Sequence, residues 1–178
     1  MTNLFGVKIV SFKRCMKTGL LRLRLCRLRD LRPLYSLFTL EIFPEGEGSK
    51  SKPASLFSFY RWMKNTFQVI YLIEIEEKGG CRAIGFVGLY DMELGRSLRI
   101  SLTIFSAEDR GRGYGEKALT LLLSILRENG AAEVVYGEIL RSNVPSLHLC
   151  RKLGFKIKKL HQDRLLLEKD QKTKSEEG

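Results

Sequence analysis

The chain has 178 residues, 44% of them apolar and 29% charged, and its 31 Lys and Arg against 20 Asp and Glu give a formal net charge of +11. That length suffices for one domain with a sizeable core, and the composition excludes a disordered or fibrous chain. No apolar run approaches the roughly 18 residues of a membrane helix, and the basic start has no apolar core with a small-residue cleavage site, so neither a membrane span nor a secretory signal is expected.

Residues 1–29 hold eight Lys or Arg and no Asp or Glu. Residues 1–19 read as a basic N-terminal extension, with Met16 as an alternative start to Met1. Over 21–26, Leu alternates with Arg or Cys, the period of a strand with one buried face. Residues 30–43 read as a helix, with Asp30 near its start and Pro33 in the first turn. Pro44 to Pro53 is a loop by composition. A second helix over 54–66 carries Phe57, Tyr60 and Trp62. Strands at 68–77 and 82–90 flank the hairpin signal Lys78-Gly79-Gly80, and a third at 97–105 follows Leu94-Gly95-Arg96. A helix over 114–128 stops at Asn129-Gly130. A strand at 133–140 leads to a short helix at 145–153, with Asn143 as its cap. Strands at 155–160 and 164–169 follow. The polar tail, 170–178, is expected to be disordered. This order predicts one α/β layered domain with a mixed sheet.

The most telling segment is Arg110-Gly111-Arg112-Gly113-Tyr114-Gly115. It lies between the strand-like Ile100-Ser101-Leu102-Thr103-Ile104-Phe105 and a strong helix former. A glycine-rich turn that opens a helix presents unpaired backbone N–H groups at the positive end of the helix dipole. Glycine removes the Cβ atoms that would keep a ligand away, and two arginines add charge. That is a phosphate or pyrophosphate site. It is neither the dinucleotide fingerprint, because the third glycine comes one residue early, nor a P-loop, because no Gly-Lys-Ser/Thr follows.

Arg110-x-x-Gly113-x-Gly115, followed by Asn143-x-x-Ser146-x-x-Leu149-x-x-x-Leu153-Gly154-Phe155, resembles the GNAT superfamily of acetyl-CoA-dependent N-acetyltransferases. The likeness runs over residues 20–169. Within the superfamily the chain looks most like the ribosomal-protein and small-amine branches, on Ile84-Gly85-Phe86-Val87-Gly88-Leu89 and the basic start Leu21-Arg22-Leu23-Arg24. The resemblance implies a mixed, splayed central sheet with helices on both faces. It implies a V-shaped cleft in which the pantetheine arm of acetyl-CoA lies like an added strand.

The same resemblance implies roles. The backbone of Gly111, Arg112, Gly113, Tyr114 and Gly115 is expected on the pyrophosphate, with the Arg110 side chain bracing the turn. Thr103, Ile104 and Phe105 are expected to offer strand backbone groups to the pantetheine and thioester, and Asn143 to hydrogen-bond the pantetheine arm. Glu138 matches the position of a glutamate base in the ribosomal-protein alanine acetyltransferases. Cys150 stands where many members have a tyrosine that protonates the departing thiolate; a small buried apolar residue is the competing reading. Arg99 stands where related sequences often carry glutamate. The loop between the first two helices usually helps to form the acceptor site in this family.

Cys15, Cys26, Cys81 and Cys150 are widely spaced and there are only two histidines, His148 and His161, so no disulfide framework and no metal site is expected. Reduced cysteines fit the cytoplasm. The positive charge favours coenzyme A and an acceptor on an acidic assembly such as the ribosome; a homodimer is the oligomer expected, if one forms. Two readings of other classes stay open: a catalytically silent CoA-binding regulatory module, and a nucleic-acid binder using residues 1–32.

Overall fold

The computed structural model describes residues 13–41 and 55–171. Eight strands form one sheet in the order β1-β2-β3-β4-β5-β6-β8-β7. The elements are β1 (Cys15–Thr18), β2 (Leu21–Leu25), α1 (Leu31–Glu41), α2 (Leu56–Thr66), β3 (Val69–Glu77), β4 (Gly80–Glu93), β5 (Ser97–Ile104), α3 (Tyr114–Glu128), β6 (Val134–Leu140), α4 (Val144–Lys152), β7 (Lys156–His161) and β8 (Arg164–Asp170). Every strand pairing is antiparallel except β5 with β6.

Helices cover the sheet on both sides. On one face α3 lays Ala118, Leu119, Leu122 and Leu126 against Leu23, Tyr71, Val87 and Val135, and Leu147 and Cys150 of α4 join them. On the other face Leu31 and Leu34 of α1, and Phe59 and Met63 of α2, meet Ile70, Leu72, Phe86 and Phe105. The long apolar run of β3 follows from this layering, because its residues from Val69 to Ile75 are buried on both faces. Each large apolar side chain so buried contributes about 1.5–3 kcal/mol.

The two ends of the chain differ from expectation. The basic segment expected to lie outside the domain supplies β1, which pairs with β2 and buries Met16 to 5% exposure. An alternating pattern of four residues is too short to stand out in sequence. At the other end Asp170 completes β8, and the Gln171 N–H donates to the Glu133 carbonyl at 2.7 Å. The disorder expected of the tail therefore does not extend to Asp170 and Gln171; the rest of it, most of the N-terminal extension and the expected acceptor loop (Pro44 to Pro53) lie outside the described residues.

A charged cluster ties α1 to the sheet. Glu74 of β3, 5% exposed, takes Arg22 at 2.5 Å and Arg24 at 2.9 Å. Arg24 reaches on to Asp30 at 2.9 Å, and Asp30 accepts from the Arg27 N–H at 2.7 Å just before α1 begins. Glu74 and Asp30 together balance the two guanidiniums, and removing a partner would leave an uncompensated ion.

Candidate active site

β5 and β6 stay together only from Ser97/Val134 to Ile100/Gly137. Beyond that rung each strand keeps its other neighbour. β5 follows β4 to Ile104, and β6 follows β8 to Leu140. The two therefore splay, and a cleft of about 180 Å³ opens between them, with Leu102, Leu119 and Leu149 as apolar lining and Tyr90, Glu138, Asn143 and Arg164 as polar lining.

Strand alternation decides which backbone groups face the cleft. The Phe105 N–H donates to the Ile84 carbonyl at 2.9 Å, and the Val134 N–H donates to the Arg96 carbonyl at 3.1 Å. Odd-numbered residues of β5 thus turn their N–H and C=O to β4, and even-numbered ones turn them to the open side. Of the three expected residues, Ile104 points its backbone into the gap. Thr103 and the Phe105 N–H turn to β4, and Leu102 is the other residue of this stretch whose backbone faces the gap.

The glycine-rich turn lies at the mouth of this gap. Gly111 and Gly113 have φ of 73° and 78°, the left-handed region that suits glycine. A Cβ at either would point into open space, with no atom within 4 Å, so the backbone there is bare to a ligand. Gly113 is the N-cap of α3 and supplies no side-chain cap. The first N–H groups of a helix have no intrahelical partner, and those of the α3 first turn have no side-chain cap. Arg112 is exposed beside them. Arg110 folds back instead, donating from Nε to the Ile104 carbonyl at 3.1 Å and from Nη2 to the Phe105 carbonyl at 2.9 Å. Gly115 differs in being closely packed, since a Cβ there would come within 3.1 Å of the Leu102 side chain and 3.5 Å of the Leu149 side chain.

A pair the sequence did not reveal holds the turn from below. Asp109, 4% exposed and immediately ahead of Arg110, takes both ends of the Arg82 guanidinium, at 2.7 and 3.0 Å. The Arg82 charge holds its carboxyl below the ordinary value. The partners are 27 residues apart, and no local pattern links them.

On the far wall, Asn143 caps α4, its Oδ1 accepting from the Ser146 N–H at 3.2 Å, which leaves its amide N–H groups as donors on the cleft lining. Cys150 is buried at 7% exposure, and burial pushes its thiol up to about 11. His148, on the same helix, is exposed. Glu138 stands on the opposite face of β6 from the α3 core, its Oε2 3.2 Å from Arg99 and its Oε1 3.7 Å from Arg164. Arg99 also lies 3.4 Å from Asp91. Among the described residues no cluster could hold a metal ion, and no helix is long and apolar enough to cross a membrane.

The profile of the acetyltransferase (GNAT) domain matches residues 21–156. No match was found among curated protein sequences. Solved structures share the fold. A domain from Methanocaldococcus jannaschii superposes with a TM-score of 0.73 at 22% identity, over 84% of this chain and 97% of that one. A spermidine N-acetyltransferase chimera involving the Vibrio cholerae enzyme gives 0.71 at 18%, over 86% and 96%. A Salmonella typhimurium protein, named as an acetyltransferase and solved with its cofactor acetyl-CoA, gives 0.66 at 15%, over 88% and 97%. With a bare-backbone glycine turn ahead of α3, a splayed parallel strand pair, and a family profile that spans most of the fold, the chain belongs to the GNAT acetyltransferase family, whose enzymes draw their acetyl group from acetyl-CoA.

Proposed function

We propose that this protein is an N-acetyltransferase that moves acetyl from acetyl-CoA directly to a primary amine: a protein N-terminus, a lysine or a small amine. The observation that carries this is the opening of β5 from β6, with the left-handed glycine turn following β5 and its Gly115 packed beside Leu102 of the cleft. The turn N–H groups from Gly111 to Gly115 receive the pyrophosphate, and Arg110 fixes their position from below. Leu102 offers its backbone N–H and C=O and Ile104 its N–H along the pantetheine arm, the Ile104 carbonyl being held by Arg110, and the Asn143 amide meets that arm from the other wall.

In the transfer the deprotonated amine nitrogen bonds to the thioester carbon, and the carbon–sulfur bond breaks. An ammonium and acetyl-CoA thus become an amide, the free thiol of CoA and one proton. Holding the two reactants in line is the protein's main contribution. Glu138 relays the amine's proton through water, which requires its oxygens to exchange contacts with Arg99 and Arg164. Cys150 is given a packing role. With its thiol near 11 it is a weaker acid than a departing thiol of ordinary pKa, about 8.5, so donation from it runs uphill.

The test is a thermal shift with acetyl-CoA on the wild type and Gly113→Glu, followed by thiol release with a panel holding a ribosomal-protein N-terminal peptide and small amines. Stabilisation of the wild type alone, with release on amine addition, is expected. A second reading, a silent CoA-binding module, is favoured by the double engagement of Glu138 and by Cys150 in place of tyrosine. It predicts the shift without release.

A further inference from the structure

We infer that the acceptor is a small zwitterion, a primary amine with a carboxylate close to its amino group, as in a free α-amino acid. This rests on the acetyl-transfer reading above and narrows its substrate. Four charged side chains of alternating sign run across the mouth of the cleft: Asp91, Arg99, Glu138 and Arg164, with successive separations of 3.4, 3.2 and 3.7 Å. Glu138 and Arg164 line the cleft itself, while Asp91 and Arg99 line a second groove on the same side of the sheet as α1 and α2. The row is therefore the boundary that an amine must cross to reach the thioester. Its charges sum to zero.

The arginines decide the class. Arg164 has Glu138 as its one ion-pair partner among the described residues, at a separation beyond hydrogen-bonding distance. Its planar fork is therefore unspent, and that fork matches a carboxylate in bidentate geometry. A polyamine would bring two or more positive charges against Arg99 and Arg164, where like charges repel. A peptide N-terminus would bring an amide where the fork seeks an anion, and a site built to bind a polar group rejects the analogue that lacks it. A zwitterion satisfies the whole row at once, its ammonium on Glu138 and Asp91 and its carboxylate on Arg164 and Arg99. Arg99 and Arg164 are then specificity-determining residues, with Glu138 between them receiving the nitrogen that reacts.

The experiment uses the full chain and compares alanine, methionine and glutamate with their α-amides, together with spermidine and a short peptide. Thiol release from acetyl-CoA is measured, and the CoA-saturated protein is titrated calorimetrically with the same compounds. At least one free amino acid is expected to exceed its amide by about tenfold or more in kcat/KM and in affinity. In Arg164→Gln that ratio falls toward one through KM for the acid, while the acetyl-CoA KM and the melting temperature hold; Arg164→Lys restores part of it. A purely structural arginine would not change the acid-to-amide ratio. Amides, spermidine or peptide used as well as the acids, or no binding of any acid, overturns the inference. An acid that binds in preference to its amide without thiol release sustains it and refutes acetyl transfer instead.

Discussion

Replacing Arg82 by Met tests whether the glycine-rich turn, proposed to take the pyrophosphate, is held in place by a charge pair rather than by its own glycines. The Arg82 guanidinium bonds both oxygens of Asp109 at 2.7 and 3.0 Å, and Asp109 is 4% exposed whereas the Arg82 side chain is 46% exposed. Removing a partner from a fully buried pair costs about 3–5 kcal/mol. With one partner half in water, the expected loss is discounted to about 1–3 kcal/mol. Arg82→Met in an Asp109→Asn background should cost less than in the wild type, because the stranded charge is then gone. The carboxyl of Asp109 is held below its ordinary value by Arg82. Its contribution to stability is therefore fully present above the unfolded-state value near 4 and is lost as pH falls through the lower folded-state value. The stability gap between wild type and Asp109→Asn, read by urea unfolding from pH 7 to pH 3, should shrink below about pH 4. Because Asp109 precedes the turn directly, acetyl-CoA KM should rise about five- to tenfold in Arg82→Met with kcat little changed. A gap that persists undiminished at pH 3, or an unaltered KM in a clearly destabilised variant, would refute the argument.

Other substitutions separate packing from chemistry. Glu138→Gln should lower kcat about a hundredfold without moving acetyl-CoA KM, the range for loss of a general base; a fall under threefold in steady-state turnover removes the glutamate from the mechanism. Cys150→Ala should keep kcat within about threefold and cost about 1 kcal/mol for the small void it leaves. Its pH–rate profile should match that of the wild type from pH 7 to 10, since burial keeps the Cys150 thiol protonated there. Glu74→Ala strands Arg22 and Arg24 without their shared carboxylate and should destabilise by about 3 kcal/mol in urea titration; a change under 0.5 kcal/mol would mean the cluster relaxes into water.

Local chemistry made part of this legible and left the rest hidden. The glycine turn ahead of α3 showed because glycines and helix formers sit side by side, and α4 showed because Asn143, Pro145 and Gly154 mark its two ends. The strand patterns of β2, β3 and β5 were plain for the same reason. What escaped depends on register. The choice of Leu102 over Thr103 for the open edge follows from a single parity, fixed by hydrogen bonds to Ile84 and Arg96 that no residue type announces. The hairpin strand β4 runs past its expected limit at residue 90 because a bulge with Asp91 at φ 47° carries it on to Glu93. Arg82 with Asp109, and Asp91 and Glu138 with Arg99, are meetings between distant segments, and they surface only when the sheet is assembled. The roles expected of Glu138 and Asn143 come from family resemblance; residue patterns alone give Asn143 as a helix cap and Glu138 as a solvent-facing strand residue.

The short parallel seam has a consequence for how the molecule holds together. Strands β1 to β5 and strands β6 to β8 are two antiparallel ribbons joined along the sheet by four rungs, from Ser97/Val134 to Ile100/Gly137. A ligand lying across the open part would act as a keystone, engaging the amides of Leu102 and Ile104 on one ribbon and the α4 cap on the other. Exchange of those two amides with solvent should slow on saturation with acetyl-CoA, far more than exchange inside either ribbon. The donor substrate would then complete the architecture as well as feed the reaction, and the resistance of the whole fold to unfolding would track how much of it is bound.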